Sequence, residues 1–233
     1  MNLQVKINEN AQTKYPALKI AFVFLSSVPK YQSDKEKEDA QDKIVHETIT
    51  KFKDTKTVRG HYLNEQYKAF YRSMGLKPKK VSTPIKQVER VLKTNSYRSI
   101  FKTIDMCMLI EYTTLVSFQV YDPDKITGNL VIKIATGEEE ITDFHKQVKQ
   151  CKKGELLLVD DDSTLHSVYY GNNVNKSIDN DSTRHLVRIM GIPGISENDF
   201  NMALELFLAA DKHSSSIVLS SQNPIQTLLS SKD

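Results

Sequence analysis

The sequence predicts an α+β fold: one mixed domain with sheet at its centre and helices around it. Three observations predict it. The run Leu18–Leu25 (LKIAFVFL) is almost wholly apolar, the mark of a strand buried on both faces. Residues 33–94 then carry apolar side chains at helical spacing, punctuated by cap residues. From 129 onward, short alternating segments are separated by turn residues.

In order along the chain, residues 1–15 are polar and aperiodic and are expected to form an arm ahead of a single domain over 16–220. After the strand at 18–25, Ser33 caps a charged helix from Asp34 to about Lys53, with acids in its first turn and Ala40, Ile44, Val45, Ile49 and Phe52 on one side. His61–Met74 predicts a second helix with an aromatic side, Tyr62, Tyr67, Phe70 and Tyr71, which reads as core; Gly75 suits its C-terminal cap. Leu76-Lys77-Pro78-Lys79-Lys80 is an extended basic connection, because residues before proline avoid the helical region. Thr83-Pro84 starts a third helix, with Thr at the cap and Pro at the first helical position. Ile85, Val88, Val91 and Leu92 form its apolar face, and Lys86, Arg90 and Lys93 share another surface.

Ile104–Ile126 opens on the lone acid Asp105, continues as a long apolar stretch with β-branched residues, and closes on Tyr121-Asp122-Pro123-Asp124-Lys125-Ile126. Such a turn presents carboxylates to backbone N–H groups or to a ligand. Strands are predicted at 129–135, 155–159, 165–170 and 185–192, with a turn at Gly171-Asn172-Asn173. Ser196 with Asp199 resembles a capping box and opens a helix to Lys212. A last strand is predicted at 216–220, and 221–233 reads as a frayed tail.

The net charge of +3 conceals an asymmetry. Residues 1–104 carry 21 Lys and Arg against 10 Asp and Glu, while 105–233 carry 11 against 19. Residues 59–102 alone hold 11 basic side chains and 2 acidic ones, which points to a polyanionic partner, most simply nucleic acid. Cys107 and Cys151 are far apart and have no metal-ligand spacing, so both read as reduced thiols. No apolar run reaches membrane-spanning length and no leader pattern is present, so a cytoplasmic location is expected. There is no Gly-rich phosphate loop and no G-x-S-x-G elbow. The six histidines form no H-x-x-x-H or H-x-H pair, and Asp160-Asp161-Asp162 lacks the alternation of a calcium loop. Neither a metal nor a cofactor is expected.

Three landmarks occur in one order: Tyr71-Arg72-Ser73-Met74-Gly75-Leu76-Lys77-Pro78-Lys79-Lys80; Asp105 followed by the Tyr121–Ile126 turn; and Leu158-Val159-Asp160-Asp161, then Lys176-Ser177 and Asp181-Ser182-Thr183 before an apolar strand. Together they resemble the tRNA-binding and editing module of the bacterial phenylalanyl-tRNA synthetase beta subunit, the B-three/B-four domain, over roughly residues 16–215. The basic stretch is closest to free-standing proteins made of this module. The resemblance implies a β-sandwich core flanked by helices, and a site that hydrolyses tyrosine wrongly attached to phenylalanine tRNA. The module's Thr-Asn pair falls on Cys107 and Met108, its His on Gln119, and its tyrosine-reading Glu on Ile189. Gln cannot replace His as a base, and Ile offers no acceptor to a phenol. The resemblance therefore implies pocket candidates Asp105, Met108, Gln119, Tyr121, Asp122, Asp124, Lys125, Lys176, Ser177 and Ile189, with no catalytic residue assigned. RNA phosphates are expected at Arg72, Lys77, Lys79, Lys80, Lys86 and Arg90.

Three functions compete. The first is a module that binds tRNA or aminoacyl-tRNA, without DNA binding and without aminoacylating tRNA by itself. The second is a trans-acting hydrolase of mischarged aminoacyl-tRNA. The third is a protein that binds an amino acid or metabolite without RNA. The oligomeric state is not legible.

Overall fold

The computed structural model describes residues 2–27, 29–210, 214–220 and 222–229. The chain runs β1 (Asn2–Ile7), α1 (Glu9–Lys14), β2 (Lys19–Leu25), α2 (Asp34–Phe52), α3 (Thr55–Gly60), α4 (Tyr62–Ser73), α5 (Pro84–Thr94), α6 (Lys102–Thr114), β3 (Ser117–Tyr121), β4 (Leu130–Ile134), β5 (Glu140–Thr142), β6 (Val148–Gln150), β7 (Leu156–Val159), β8 (Thr164–Ser167), β9 (Gly171–Asn172), β10 (His185–Gly191), α7 (Glu197–Ala210), β11 (Ser214–Leu219) and β12 (Ile225–Leu229). This is an α+β fold with two principal sheets. One has the order β12-β1-β4-β7-β8-β9, the other β11-β2-β10-β3; β5 and β6 form a separate hairpin.

The two sheets share a core. Ile20, Phe22 and Phe24 of β2 and Leu186 and Met190 of β10 join Leu3, Val5, Leu130, Ile132, Leu156 and Leu158 of the larger sheet in one buried cluster. The opposite faces of β2 and β10 (Ala21, Val23, Leu25, Val187, Ile189) pack on Cys107 and Ile110 of α6 and Phe200, Ala203 and Phe207 of α7. Burial on both faces explains why β2 is continuously apolar rather than alternating.

The caps behave as their residue types dictate. Ser33 Oγ accepts from Glu36 N, and Thr83 Oγ1 accepts from Lys86 N. Of the aromatic side of α4, Tyr67, Phe70 and Tyr71 are buried, whereas Tyr62 is exposed. The apolar stretch 104–126 divides: Leu115 adopts φ 59, ends α6 and turns the chain into β3.

Three expectations are corrected. The segment expected to be an arm supplies β1 and α1, and part of the expected tail supplies β12; the two strands pair antiparallel, Val5 opposite Gln226. Leu3, Val5 and Ile7 of β1 point inward at strand spacing, a short alternation that the polar composition of residues 1–15 masked. The strand expected over 165–170 stops at Ser167. The buried Glu155 carboxylate accepts from Ser167 Oγ (2.6 Å) and Tyr169 N (2.8 Å), which forces the turn early and makes Gly171-Asn172 a strand rather than a turn. α7 is described to Ala210, and its expected last residues, 211–212, lie outside the described residues, as do 221 and 230–233 of the tail.

Leu3 is 1% exposed. Leu3→Ala should lower stability by about 2–5 kcal/mol in urea denaturation, the cost of a core truncation. An unchanged midpoint would mean that β1 is a dispensable arm.

Candidate nucleic-acid interface and adjoining pocket

The basic stretch folds into a cleft. α4 ends in a Schellman-type closure, with Gly75 at φ 75 and Leu76 N donating to Tyr71 O. Pro78–Lys80 then form a 3-10 turn, and Thr83 starts α5. Between α4, this turn and α5 lies a cleft of about 1090 Å3, lined by Arg72, Lys77, Lys79, Lys80 and Lys86 among others. Arg72, Lys77, Lys79 and Lys80 are exposed, and none is in an ion pair among the described residues. Glu65 and Glu89, the cleft's acids, are already paired with Lys68 and with Arg59 and Lys93.

Lys86 behaves differently. Its Nζ donates to the carbonyls of Pro78 (2.8 Å), Lys79 (2.9 Å) and Val81 (2.5 Å). Burial pulls its pKa down. It braces the 3-10 turn, so its donors are not free for a phosphate as expected. Arg90 is exposed on α5 but does not line the cleft.

A second cavity, about 300 Å3, opens where α6, β3, β8 and β9 converge. Tyr71, Lys80 and Thr83 line both it and the basic cleft. A hollow of about 340 Å3 beside them adds Lys152 and Lys153 to Lys77 and Lys80. Lys80 thus borders all three. An apolar chamber of about 240 Å3 lies on the other side and shares Met108, Phe118, Gln119 and Asn172 with the pocket.

The pocket's polar wall comes from four buried or half-buried groups. Glu111 Oε2 accepts from Phe118 N at 2.7 Å, and burial pushes its pKa up to about 8. Asn172 Nδ2 donates to the Val120 carbonyl, so its Oδ1 faces His166 Nδ1 at 2.7 Å. The Nδ1 therefore carries the proton and Nε2 the lone pair. Burial, with Arg188 nearby, holds the His166 pKa well below its ordinary value, so the ring is neutral. Gln119 Oε1 accepts from Arg188 Nε (2.9 Å) and Nη2 (2.7 Å), and Gln119 Nε2 donates to Ser117 Oγ at 2.7 Å.

Of the expected pocket residues, Met108 and Gln119 line this cavity and Ser177 lines the apolar chamber. Ile189 does not: strand alternation sends it into the helix-packed core, and its neighbour Arg188 faces Gln119 directly across the β3–β10 ladder. Tyr121 lies on the same sheet face as Gln119 but is wholly buried. Asp105 sits apart in a cage of hydroxyls, accepting from Tyr97 (2.7 Å), Tyr31 and Ser99. Its acceptor capacity is spent on structure.

The remaining candidates form a latch between the Tyr121–Ile126 turn and the segment leading to β10. Asp122 accepts from Asp124 N (3.0 Å) and Ser182 Oγ (2.7 Å). Lys125 Nζ reaches Ser177 O (2.8 Å) and Asp179 (2.6 Å), and Lys176 Nζ reaches Lys125 O (2.6 Å) and Asp160 (2.7 Å). Asp124 pairs with Arg184. These contacts close a turn rather than present ligands. No group of three His, Cys, Asp or Glu among the described residues is arranged to hold a metal ion.

The model of the B3/4 domain matches residues 66–205, from α4 through most of α7, and so includes cleft, pocket and latch. The chain belongs to the B3/4 domain family. It is 23% identical over 180 residues to the phenylalanine–tRNA ligase beta subunit of Fusobacterium nucleatum, covering 77% of this chain and 19% of that subunit. It spans about a fifth of that relative's length. A crystal structure of an N-terminal fragment of the phenylalanyl-tRNA synthetase beta subunit from Pyrococcus horikoshii aligns with a TM-score of 0.43 and 12% identity, over 88% of this chain and 47% of that one.

Glu111, His166 and Arg188 escaped the sequence reading. Their signal was present: ionisable residues set among apolar ones in MLIEY, TLHSV and LVRIM.

Glu111 has a folded pKa of about 8 against an ordinary 4.5. A raised carboxyl pKa contributes stability that is fully present below 4.5 and is lost as pH rises through about 8. Glu111→Gln should flatten that decline, read as urea midpoints across the same pH range. An equal decline in both proteins would place the titration elsewhere.

Proposed function

We propose that this B3/4 protein is a tRNA-binding module that works in the cytoplasm. The basic cleft holds RNA phosphates and the pocket receives the RNA's aminoacyl end. The observation that carries this reading is the position of Lys80, which borders the cleft, the Lys152–Lys153 hollow and the pocket together. A polyanion lying along Arg72, Lys77, Lys79 and Lys80 would end at a cavity of about 300 Å3, the size of a small ligand rather than a duplex. Contacts of this kind are independent of base sequence. The relative from Fusobacterium nucleatum, a tRNA ligase subunit by name, supports tRNA as the nucleic acid.

Hydrolysis of an aminoacyl ester is the second reading, favoured by His166. A neutral imidazole with a free Nε2 beside a ligand-sized cavity is a candidate base for a water molecule. Turnover of aminoacyl-tRNA at protein concentrations far below substrate, lost in His166→Ala, would establish it; ester loss at the rate of buffer alone would remove it.

Equilibrium binding to tRNA across a salt series tests the first reading. Replacing Lys77, Lys79 and Lys80 together by Ala should weaken binding and make the log–log salt slope shallower by about 2. Lys86→Ala should instead cost stability through the 3-10 turn it braces. Unchanged affinity in the triple variant would exclude the cleft as the RNA surface.

A further inference from the structure

Two groups buried behind the pocket's Gln119 wall lack the partners that burial demands. The Arg188 guanidinium is 2% exposed and is in no ion pair among the described residues. The Tyr121 hydroxyl is wholly buried without a hydrogen-bond partner, and its ring lies 5.9 Å from the guanidinium. No charge nearby compensates Arg188. His166 is neutral, and Glu111 is largely protonated at neutral pH. Burying a cation without its counter-ion is strongly unfavourable. Buried carboxylates elsewhere in the fold are satisfied: Asp160 by Lys176, and Glu155 by a hydroxyl and backbone N–H groups.

The partner Arg188 does have marks the place of the missing one. Gln119 Oε1 alone takes two donors of the guanidinium fork at 2.9 and 2.7 Å, the edge that arginine offers to the two oxygens of a carboxylate. One neutral amide oxygen occupies that edge without supplying the charge or the second acceptor. Gln119 is half-buried, and it lines both the pocket and the apolar chamber, so its side chain borders open space on two sides.

We propose that the pocket takes a carboxylate group of amino-acid size, which displaces Gln119 Oε1 from the Arg188 fork and compensates the buried charge. Tyr121 offers a further donor beside it. The proposal rests on the tRNA reading only for the source of the carboxylate. It is the side-chain carboxylate of an acidic amino acid, either free or esterified, because the α-carboxylate is common to every free amino acid.

The test is calorimetric titration with free aspartate and glutamate against asparagine, glutamine and tyrosine. A second arm uses 3′-aminoacylamino-3′-deoxyadenosine carrying aspartate or tyrosine, a stable analogue of the esterified end. The acids should bind about tenfold or more tightly than their amides. A preference confined to the adenosine arm assigns the carboxylate to an esterified residue; one shared by the free acids assigns it to a free acid. Arg188→Met should abolish the preference while leaving the ligand-free protein as stable or more stable. Gln119→Ala should keep it. Where Arg188→Met fails to fold, Arg188→Lys, which retains the charge and loses the fork, should still weaken the preference. Equal binding of acids and amides, or an Arg188→Met protein that is less stable yet equally selective, would overturn the proposal. Acid selectivity with no tRNA affinity would remove the RNA reading and keep this one, and tRNA affinity without acid selectivity would do the reverse.

Discussion

The architecture depends on β10 being buried on both faces and paired on both edges. β2 lies on one side and β3 on the other, both antiparallel. Because strand side chains alternate, a single register decides everything about this element. It sends Val187 and Ile189 toward α6 and α7, and Leu186, Arg188 and Met190 between the sheets. A slip by one residue would drive the guanidinium into the helix-packed core, where nothing polar awaits it. The same register sets Gln119 opposite Arg188 and thereby builds the wall of the pocket.

Buried polar groups in this protein fall into two kinds. Asp105, Glu155 and Asp160 are saturated by hydroxyls, backbone N–H groups or a lysine, and each holds a turn or a helix start in place. Their burial is offset by the bonds they accept. Arg188 and Tyr121 are not saturated, and they lie together beside the Gln119 wall; the buried Nε2 of His185, whose Nδ1 meets Thr103 Oγ1, also has no partner. The turn acids Asp122 and Asp124, chemically the more suggestive pair, belong to the scaffold because Ser182 and Arg184 engage them.

The charge pattern adds a direction. The basic side chains of the cleft are exposed and unpaired where the chain turns from α4 to α5, and Lys80 continues them to the mouth of the pocket. On the proposed function, this electropositive approach leading to an uncompensated buried cation suits a ligand that is anionic along its length and at its end. Lys86 shows how easily such a surface is overcounted. It lies on the same helix as Arg90, but its ammonium faces three backbone carbonyls.

The sequence by itself determined the fold class, the strands β2, β4, β7 and β10, the helices α2, α4 and α5, and the concentration of basic charge in residues 59–102. These follow from local chemistry: periodicity, capping oxygens, and proline and glycine at the ends of helices. The landmark motifs also carried the family. Only the tertiary structure decided where the singled-out residues lie and what they touch. Gln119 is a wall residue because β10 sets Arg188 against it, and Ile189 is core because alternation turns it away. Asp105 is a scaffold acid because Tyr31, Tyr97 and Ser99 close over it. β1 and β12 exist as strands because they pair with each other across almost the whole chain, a contact that no local pattern encodes. Pairing register and the partners of buried charges are long-range quantities, and they separate the pocket from the latch.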